Sequence, residues 1–167
     1  ENEHVLSALG LAEYYLGNTF RDQGDRALAR THMERYSEIS ENLAQRDPTN
    51  ATYGVEVTYS FYNLATLHLD EGEPGLALPL LDEVMRHWQT FHGRYTEAAR
   101  IAADFHPVDV QLEIADVHSL RGDAEMAGLE WNAARRSYEL ELEAYRSLLE
   151  SDPRNAPLQL RVIQAEN

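Results

Sequence analysis

The stretch LGNTFRDQGD at residues 16–25 decides the fold, because a similar phrase returns twice later in the chain. It reappears as LATLHLDEGE at 64–73 and as IADVHSLRGD at 114–123. Each copy holds a small residue, then Phe or His three positions later, and a Gly–acid pair at its end. Self-similarity at a regular spacing is the signature of a repeat architecture. The sequence therefore predicts three units in which Gly24, Gly72 and Gly122 occupy corresponding turns.

A second repeated phrase sets the unit length. DPTN at 47–50 and DPRN at 152–155 lie 105 residues apart, which is about two periods with insertions. We expect a single domain of three repeats over about 3–50, 51–105 and 106–155, followed by a partial capping helix over 156–166. Because the chain starts at Glu1 without a Met, we also expect it to be a piece of a longer protein.

Each unit is predicted to be a helical hairpin. Apolar residues recur at steps of three and four on both sides of each Gly, and the Gly–acid pair suits a helix end followed by a helix start. The predicted pairs are 3–22 with 25–45, 52–71 with 74–92, and 107–121 with 131–150. The second helices are expected to face inward through Ala29, Met33, Tyr36, Ile39 and Leu43; Ala77, Leu81, Val84, Trp88 and Phe91; and Ala134, Tyr138, Leu142, Tyr145 and Leu149.

Two segments depart from the common pattern. Gly24 to Asp47 spans 23 residues but Gly122 to Asp152 spans 30, so seven extra residues are expected near 124–130 as two additional helical turns. The stretch 93–104 lacks the Asp-Pro signal and is predicted to form a short helix of its own before Pro107.

Composition excludes several classes of function. The 29 acidic and 14 basic residues give a formal net charge of -15, which is unfavourable for binding nucleic acid. All the basic residues are Arg, and there is neither Lys nor Cys, so lysine-based phosphate loops, Schiff-base lysines, thiol nucleophiles, disulfides and Cys–zinc sites are excluded. No apolar stretch approaches the roughly 18 residues of a membrane span. We expect a cytoplasmic protein with no membrane or nucleic-acid partner.

No sequence pattern indicates catalysis. Gly-x-Ser-x-Gly, His-Glu-x-x-His and Gly-rich phosphate loops do not occur. His68 and His118 stand in the slot that holds Phe20, so they are interpreted as fillers of a contact between helices. Glu83 and His87 lie one helical turn apart, yet a di-iron bundle needs two Glu-x-x-His pairs on facing helices. We therefore predict a non-enzymatic protein with no catalytic, metal or cofactor site.

The combination of a small residue, an aromatic slot, the inter-helix Gly and an Ala five residues beyond it resembles the tetratricopeptide (TPR) repeat. The chain is most similar to the long-period variety of large bacterial multidomain proteins, in which Asp-Pro-x-Asn punctuates the units. It departs from the pattern at Ala65 and Ala115, where Gly is commoner. The resemblance implies an all-α superhelix whose first helices line a concave groove that binds a peptide or partner domain.

The repeat register then gives the residues expected to line that groove. They come from the first helix of each unit and are Tyr14, Tyr15, Asn18, Arg21 and Asp22; Tyr59, Tyr62, Asn63, Thr66 and Asp70; and Asp109, Leu112, Glu113 and Asp116. Tyr presents a rigid contact area with a polar tip, and Asn can pair with a peptide backbone. The alternative is that part of these tyrosines only pack between repeats.

Some TPR domains hold a carboxylate between two Asn and three cations. By resemblance Asn18 and Asn63 match the two Asn, but the three cation positions fall on Tyr14, Asp109 and Glu113. We therefore expect the groove to prefer a neutral or basic segment, with Asp109 and Glu113 binding Arg or Lys. An acidic surface that serves solubility is the competing interpretation. A structural spacer or self-association unit, stacking through its ends, is the alternative function.

Overall fold

The computed structural model describes residues 2–104 and 107–166, and within these ranges all regular secondary structure is α-helical. The prediction of an all-α protein is confirmed. None of the described helices is both long and apolar enough to cross a membrane. The helices are α1 (Glu3–Asp22), α2 (Arg26–Arg46), α3 (Ala51–Asp70), α4 (Pro74–Arg94), α5 (Glu97–Ala102), α6 (Pro107–Ala127), α7 (Trp131–Ser151) and α8 (Ala156–Ala165).

The long helices form three antiparallel hairpins that follow one another. α1 packs on α2, α3 on α4, and α6 on α7. Between hairpins, α2 packs on α3, α4 on α6, and α7 on α8, whereas α5 lies against α3. Each hairpin thus contacts mainly its neighbours in sequence, as in a repeat array.

Asn and Asp side chains start several of these helices. The Asn50 side chain accepts a hydrogen bond from the Thr52 backbone N–H, and the Asn155 side chain accepts one from Leu158. Asp25 caps α2 in the same manner. These caps satisfy N–H groups that have no partner within the first helical turn. The repeated Asp-Pro-x-Asn phrase therefore ends a second helix and caps the next first helix.

The turn of the third hairpin is not where the sequence predicted it. Gly24 and Gly72 have φ of 77° and 76° and lie in the turns of the first two hairpins. Gly122 instead lies inside α6, and the corresponding left-handed residue is Leu129, with φ of 63°. The predicted end of the helix at residue 121 is wrong, because α6 continues to Ala127. The additional helical turns expected near 124–130 are thus present up to Ala127, but as the regular end of a first helix and not as an insertion.

Close packing explains why Gly stands inside α6. A Cβ atom placed on Gly122 would lie 2.5 Å from Cε1 of Tyr138, so only Gly leaves room for this ring. Gly17 stands equally far before its turn and meets Met33 in the same way, at 2.9 Å from the Met33 methyl carbon. The Gly–acid pair at 122–123 is therefore a helix-packing position that resembles a turn signal.

The corrected turn makes the three hairpins nearly equal in length, and it moves the insertion to the connection before α6. The predicted short helix within 93–104 is confirmed as α5. Ahead of it, Tyr95 is buried, and its ring packs at 5.1 Å from that of Phe91. A Cβ on Gly54 of α3 would overlap the Tyr95 hydroxyl. The connection is thus fastened to α3.

The predicted inward stripes form most of the core. Ala29, Ala77 and Ala134, each five residues after its turn residue, are fully buried at 0% exposure. The largest cluster joins α3, α4 and α6 around Trp88, and a smaller one joins α6, α7 and α8 around Tyr145. The predicted core residues Ile39, Tyr138, Leu142 and Leu149 are only half-buried.

We predict that Gly122→Ala destabilises the protein. In a helix interior, Gly→Ala normally stabilises by about 0.5–1 kcal/mol, but here the added methyl group meets the Tyr138 ring, and such overpacking costs about 1–3 kcal/mol. Urea unfolding followed by circular dichroism measures the change. Gly75→Ala in α4 is the control, because nothing lies within 4 Å of its Cβ position. Equal stability of Gly122→Ala and the wild type would contradict this account of α6.

Candidate functional site

The candidate site is the surface formed by the first helices α1, α3 and α6, here called the first-helix face. α1 and α3 run side by side in the same direction, because contacts join their starts and their ends. At the starts, the Tyr53 hydroxyl donates to a Glu3 carboxylate oxygen at 3.5 Å. Near the ends, Arg21 Nε lies 3.1 Å from Asp70 Oδ2. Two predicted groove residues from different units are thus brought together.

A partly buried hydrogen bond joins α3 and α6. The Tyr59 hydroxyl donates to Glu113 Oε1 at 2.8 Å, and its ring meets Trp88 edge-on at 6.0 Å between centroids. Burial raises the pKa of Glu113, and the hydrogen bond from Tyr59 offsets part of that effect. Burial, together with the charges of Asp116 and Glu113, raises the pKa of Tyr62 to about 12. The centre of the face is therefore acidic and partly shielded from water.

The face continues from α6 towards α8. Arg161 of α8 places Nη1 at 3.4 Å from Asp116 Oδ1, and its guanidinium lies 5.8 Å from the centroid of the Tyr145 ring. The Tyr145 hydroxyl also donates to Asp116. One predicted acidic residue thus already binds an arginine from another helix of the chain.

None of the fourteen predicted groove residues is fully buried. Tyr15, Asp22 and Asp70 are exposed. The others are half-buried, namely Tyr14, Asn18, Arg21, Tyr59, Tyr62, Asn63, Thr66, Asp109, Leu112, Glu113 and Asp116. Tyr14 packs against Tyr36 of α2 at 5.5 Å, and Leu112 packs towards the small core around Tyr145. These two contribute to packing, whereas Tyr15 is 60% exposed.

Asn18 and Asn63 make the same local contact. Asn18 Nδ2 donates to the backbone oxygen of Tyr14 at 3.2 Å, and Asn63 Nδ2 donates to that of Tyr59 at 2.7 Å. Thr66 bonds to Tyr62 O in the same way. Since one amide hydrogen of each Asn is engaged by its own helix, the groups left for a ligand are the second amide hydrogen and the side-chain oxygen.

The corrected turn also changes the register of the third unit. Counted from Leu129, the equivalents of Tyr14 and Tyr62 become Ser119, and those of Asn18 and Thr66 become Asp123. Seven residues are nearly two helical turns. Asp109, Glu113 and Asp116 are therefore still expected on the same side of α6, but they correspond to positions nearer the start of the other first helices. His118 no longer corresponds to Phe20, and its prediction as a filler of that slot is wrong.

The half-buried histidines His32, His87 and His118 have different surroundings. His32 stacks on Phe20 at 5.2 Å and places Nδ1 at 2.5 Å from Glu13 Oε2. His118 is half-buried, burial lowers its pKa, and its Nδ1 has no hydrogen-bond partner among the described residues. His87 Nδ1 lies 3.1 Å from the Thr58 hydroxyl, and Glu83, one turn earlier on α4, pairs with Arg86.

One cluster has donor atoms at metal-binding spacing. His68, Glu71 and Glu73 each offer an atom within 4.8 Å of the others. Arg30 of α2, however, forms ion pairs with both carboxylates, at 3.0 Å for Glu73 Oε2. The guanidinium supplies the positive charge that the cluster needs. The arrangement ties α2 to the α3–α4 turn.

Sequence reasoning missed two residues that border the first-helix face. Arg161 lies on α8, and Glu141 lies on α7 with 9% exposure.

A scan against protein-family models finds no match, and neither does a search of curated proteins. The resemblance to TPR repeats accordingly remains an interpretation of the residues.

We predict that Tyr59→Phe lowers stability in a pH-dependent way. At neutral pH, losing the hydrogen bond to the half-buried Glu113 carboxylate costs about 1 kcal/mol. Burial raises the pKa of Glu113 in the folded state, so keeping this carboxylate charged costs folding free energy at high pH, and the hydrogen bond from Tyr59 reduces that cost. The cost disappears as the pH falls below the raised pKa and Glu113 becomes protonated. The difference between variant and wild type should therefore shrink on acidification.

Urea unfolding at neutral and mildly acidic pH tests this prediction. Tyr15→Phe is the control, because Tyr15 is exposed and its hydroxyl makes no hydrogen bond with the described residues. A loss for Tyr59→Phe that is the same at both pH values would contradict the assigned role of Glu113.

Proposed function

We propose that the protein is a non-enzymatic interaction module, an α-superhelix of TPR-like hairpins whose first-helix face binds a neutral or basic segment of a partner protein. The observation that carries this proposal is the pairing of arginines with acids of that face. Arg21 binds Asp70 and Arg161 binds Asp116, both from helices of the same chain. A surface that pairs with arginines internally has the chemistry to pair with those of a ligand.

The charge of the face favours a basic ligand. Its predicted residues include five acids and one cation; the acids are Asp22, Asp70, Asp109, Glu113 and Asp116. Like charges repel an acidic ligand and steer a basic one towards the surface. The oxygens of Asn18 and Asn63 accept hydrogen bonds from backbone N–H groups of an extended segment.

The corrected hairpin register supports the TPR-like interpretation. Gly17, Ala65 and Gly122 each stand seven residues before the turn residue, and Ala29, Ala77 and Ala134 stand five residues after it. Counted from Gly122, Ala115 and Ala127 stand at the same two offsets, so the corrected register keeps the pattern of small residues without making it more regular. The resemblance further implies a cytoplasmic module within a larger bacterial protein.

A peptide titration tests the proposal. We expect an Arg-containing peptide to bind more tightly than a matched peptide with Glu at the same positions, and its affinity to fall with added salt because exposed charges are screened. Isothermal titration calorimetry measures both. Replacing Asp109→Asn together with Glu113→Gln should weaken the basic peptide by about fivefold, equivalent to roughly 1 kcal/mol.

The matched control carries the same charge change elsewhere. Glu34→Gln with Glu38→Gln alters two exposed residues of α2 and should leave the affinity nearly unchanged. Tighter binding of the acidic peptide, or an equal loss in both double variants, would refute the assignment of the first-helix face.

A second candidate function is self-association as a repeat spacer. It is favoured by exposed apolar residues on α1 and around the turn of the third hairpin. Val5, Leu9 and Leu16 of α1 are 62%, 46% and 42% exposed and lie on one side of the helix. Around the third turn, Leu129 and Trp131 are 67% and 58% exposed. Neighbouring exposed apolar residues are typical of an interaction surface.

Light scattering across a concentration series separates the two candidates. A spacer should associate as concentration rises, and Leu9→Glu should abolish this by placing a charge in the apolar stripe. Leu76→Glu is the control, since Leu76 is 53% exposed on the central hairpin. A monomer at all concentrations would exclude self-association through α1.

A further inference from the structure

A cleft of about 480 Å³ lies between α6, α7 and α8. It is lined by Ser119 of α6, by Tyr138 and Glu141 of α7, and by Arg161, Gln164 and Ala165 of α8. Polar groups thus approach it from all three helices. Arg161 of the cleft also pairs with Asp116, a predicted groove residue, so the cleft adjoins the first-helix face.

Glu141 is the unusual residue of this cleft. The position that it occupies on α7 corresponds to Tyr36 on α2 and Val84 on α4, counted from each turn residue. Tyr36 donates its hydroxyl to Glu56 of the next first helix, and Val84 is fully buried. The third hairpin thus places a carboxylate, more than nine-tenths buried, where the others place a donor or an apolar side chain.

The neighbouring carboxylates accept from tyrosines or pair with arginine, whereas the hydrogen-bond partner of Glu141 is the Ser119 hydroxyl. Asp123 accepts from the Tyr138 hydroxyl at 2.8 Å, and Asp116 accepts from Tyr145 and pairs with Arg161. Within residues 2–104 and 107–166, no cation forms an ion pair with Glu141; its hydrogen-bond donor is the Ser119 hydroxyl, and Arg161 acts on it only through its charge from across the cleft while pairing with Asp116. A buried carboxylate without a cation is costly, so it marks a position that a positively charged ligand group would stabilise.

The walls of the cleft favour a guanidinium over other cations. The Tyr138 ring offers an aromatic surface beside the Glu141 carboxylate, and Gln164 and Ser119 offer further polar atoms. Arg161, which itself lines the cleft, already uses the same combination with the Tyr145 ring and the Asp116 carboxylate. A planar guanidinium can stack on a ring and bond to a carboxylate at once, whereas an ammonium is a compact, strongly hydrated charge.

We propose that this cleft binds the guanidinium of an arginine side chain of the partner, with Glu141 as its carboxylate ligand and Tyr138 as its stacking surface. The inference deepens the proposed function and rests on it, since it names one side chain of the basic segment and the place where it binds.

The pH dependence of this binding has a definite direction. Burial raises the pKa of Glu141, and the charges of Asp116 and Asp123 on α6 act in the same sense, whereas Arg161 on α8 and the Ser119 hydroxyl oppose them. Tyr138 faces the cleft from α7 and is bonded to Asp123. A guanidinium binds the charged carboxylate, so binding should weaken as pH falls and Glu141 becomes protonated.

The test uses small probes and the whole chain. N-acetylarginine amide, N-acetyllysine amide and N-acetylcitrulline amide are titrated and followed by amide chemical shifts in nuclear magnetic resonance. We expect the arginine probe to shift residues around Ser119, Glu141 and Gln164, the lysine probe to bind more weakly, and the uncharged citrulline probe to cause no saturable shift. Glu141→Gln should lower the affinity for the arginine probe by about tenfold.

Glu143→Gln is the matched control, because Glu143 is an exposed residue of the same helix. Equal binding of the citrulline and arginine probes to the wild-type protein would overturn the proposal, and this comparison does not depend on any variant folding. Equal or tighter binding of the lysine probe, or an unchanged affinity of Glu141→Gln, would also overturn it.

The same experiment separates this inference from the proposed function. If a basic peptide binds and responds to Asp109→Asn with Glu113→Gln but not to Glu141→Gln, the first-helix face stands and the arginine cleft fails. If the arginine probe binds through Glu141 while no peptide binds, the cleft stands and the proposed peptide site fails.

Discussion

The close approach of the two helices in the first and third hairpins is the constraint on which the structure depends. Gly17 faces Met33 and Gly122 faces Tyr138 with no room for a methyl group between them. Fully buried alanines, among them Ala29, stand on the partner helices. A short distance between helices fixes which side chains interlock. The opposite sides of the first helices are then left to face one another across hairpins and to carry the acidic residues.

Much of the fold was predictable, because periodicity and caps are local signals. The second helices, the caps at Asn50 and Asn155 and the short helix α5 all follow from them. The third turn was not, since Gly122-Asp123 has the same letters as Gly24-Asp25 but a different environment. Only Tyr138, sixteen residues away, gives Gly122 its role. The number of residues between the turn and the next Asp-Pro would have located the third turn better, because Leu129 to Asp152 and Gly24 to Asp47 both span 23 residues.

The candidate site was predictable in part, for a geometric reason. An error of seven residues hardly rotates a helix, so the residues of α6 kept their side although their partners changed. The contact between Arg21 and Asp70 depends on how far α1 and α3 are displaced along each other. The sequence pattern of either helix alone does not determine that displacement. Glu139, Glu141 and Glu143 alternate in one stretch and look alike in sequence, yet Glu141 alone is buried, in the cleft that α8 helps to line.

The contact between Tyr95 and Gly54 gives the array an uneven resistance to opening. The connection that follows α4 packs on α3 through Tyr95, so it cannot separate from α3 without exposing this buried aromatic ring. The middle hairpin is therefore held by both neighbouring hairpins and by the connection that follows α4. Opening events in such chains begin where the fewest contacts must break, so α3 and α4 should stay together late in unfolding.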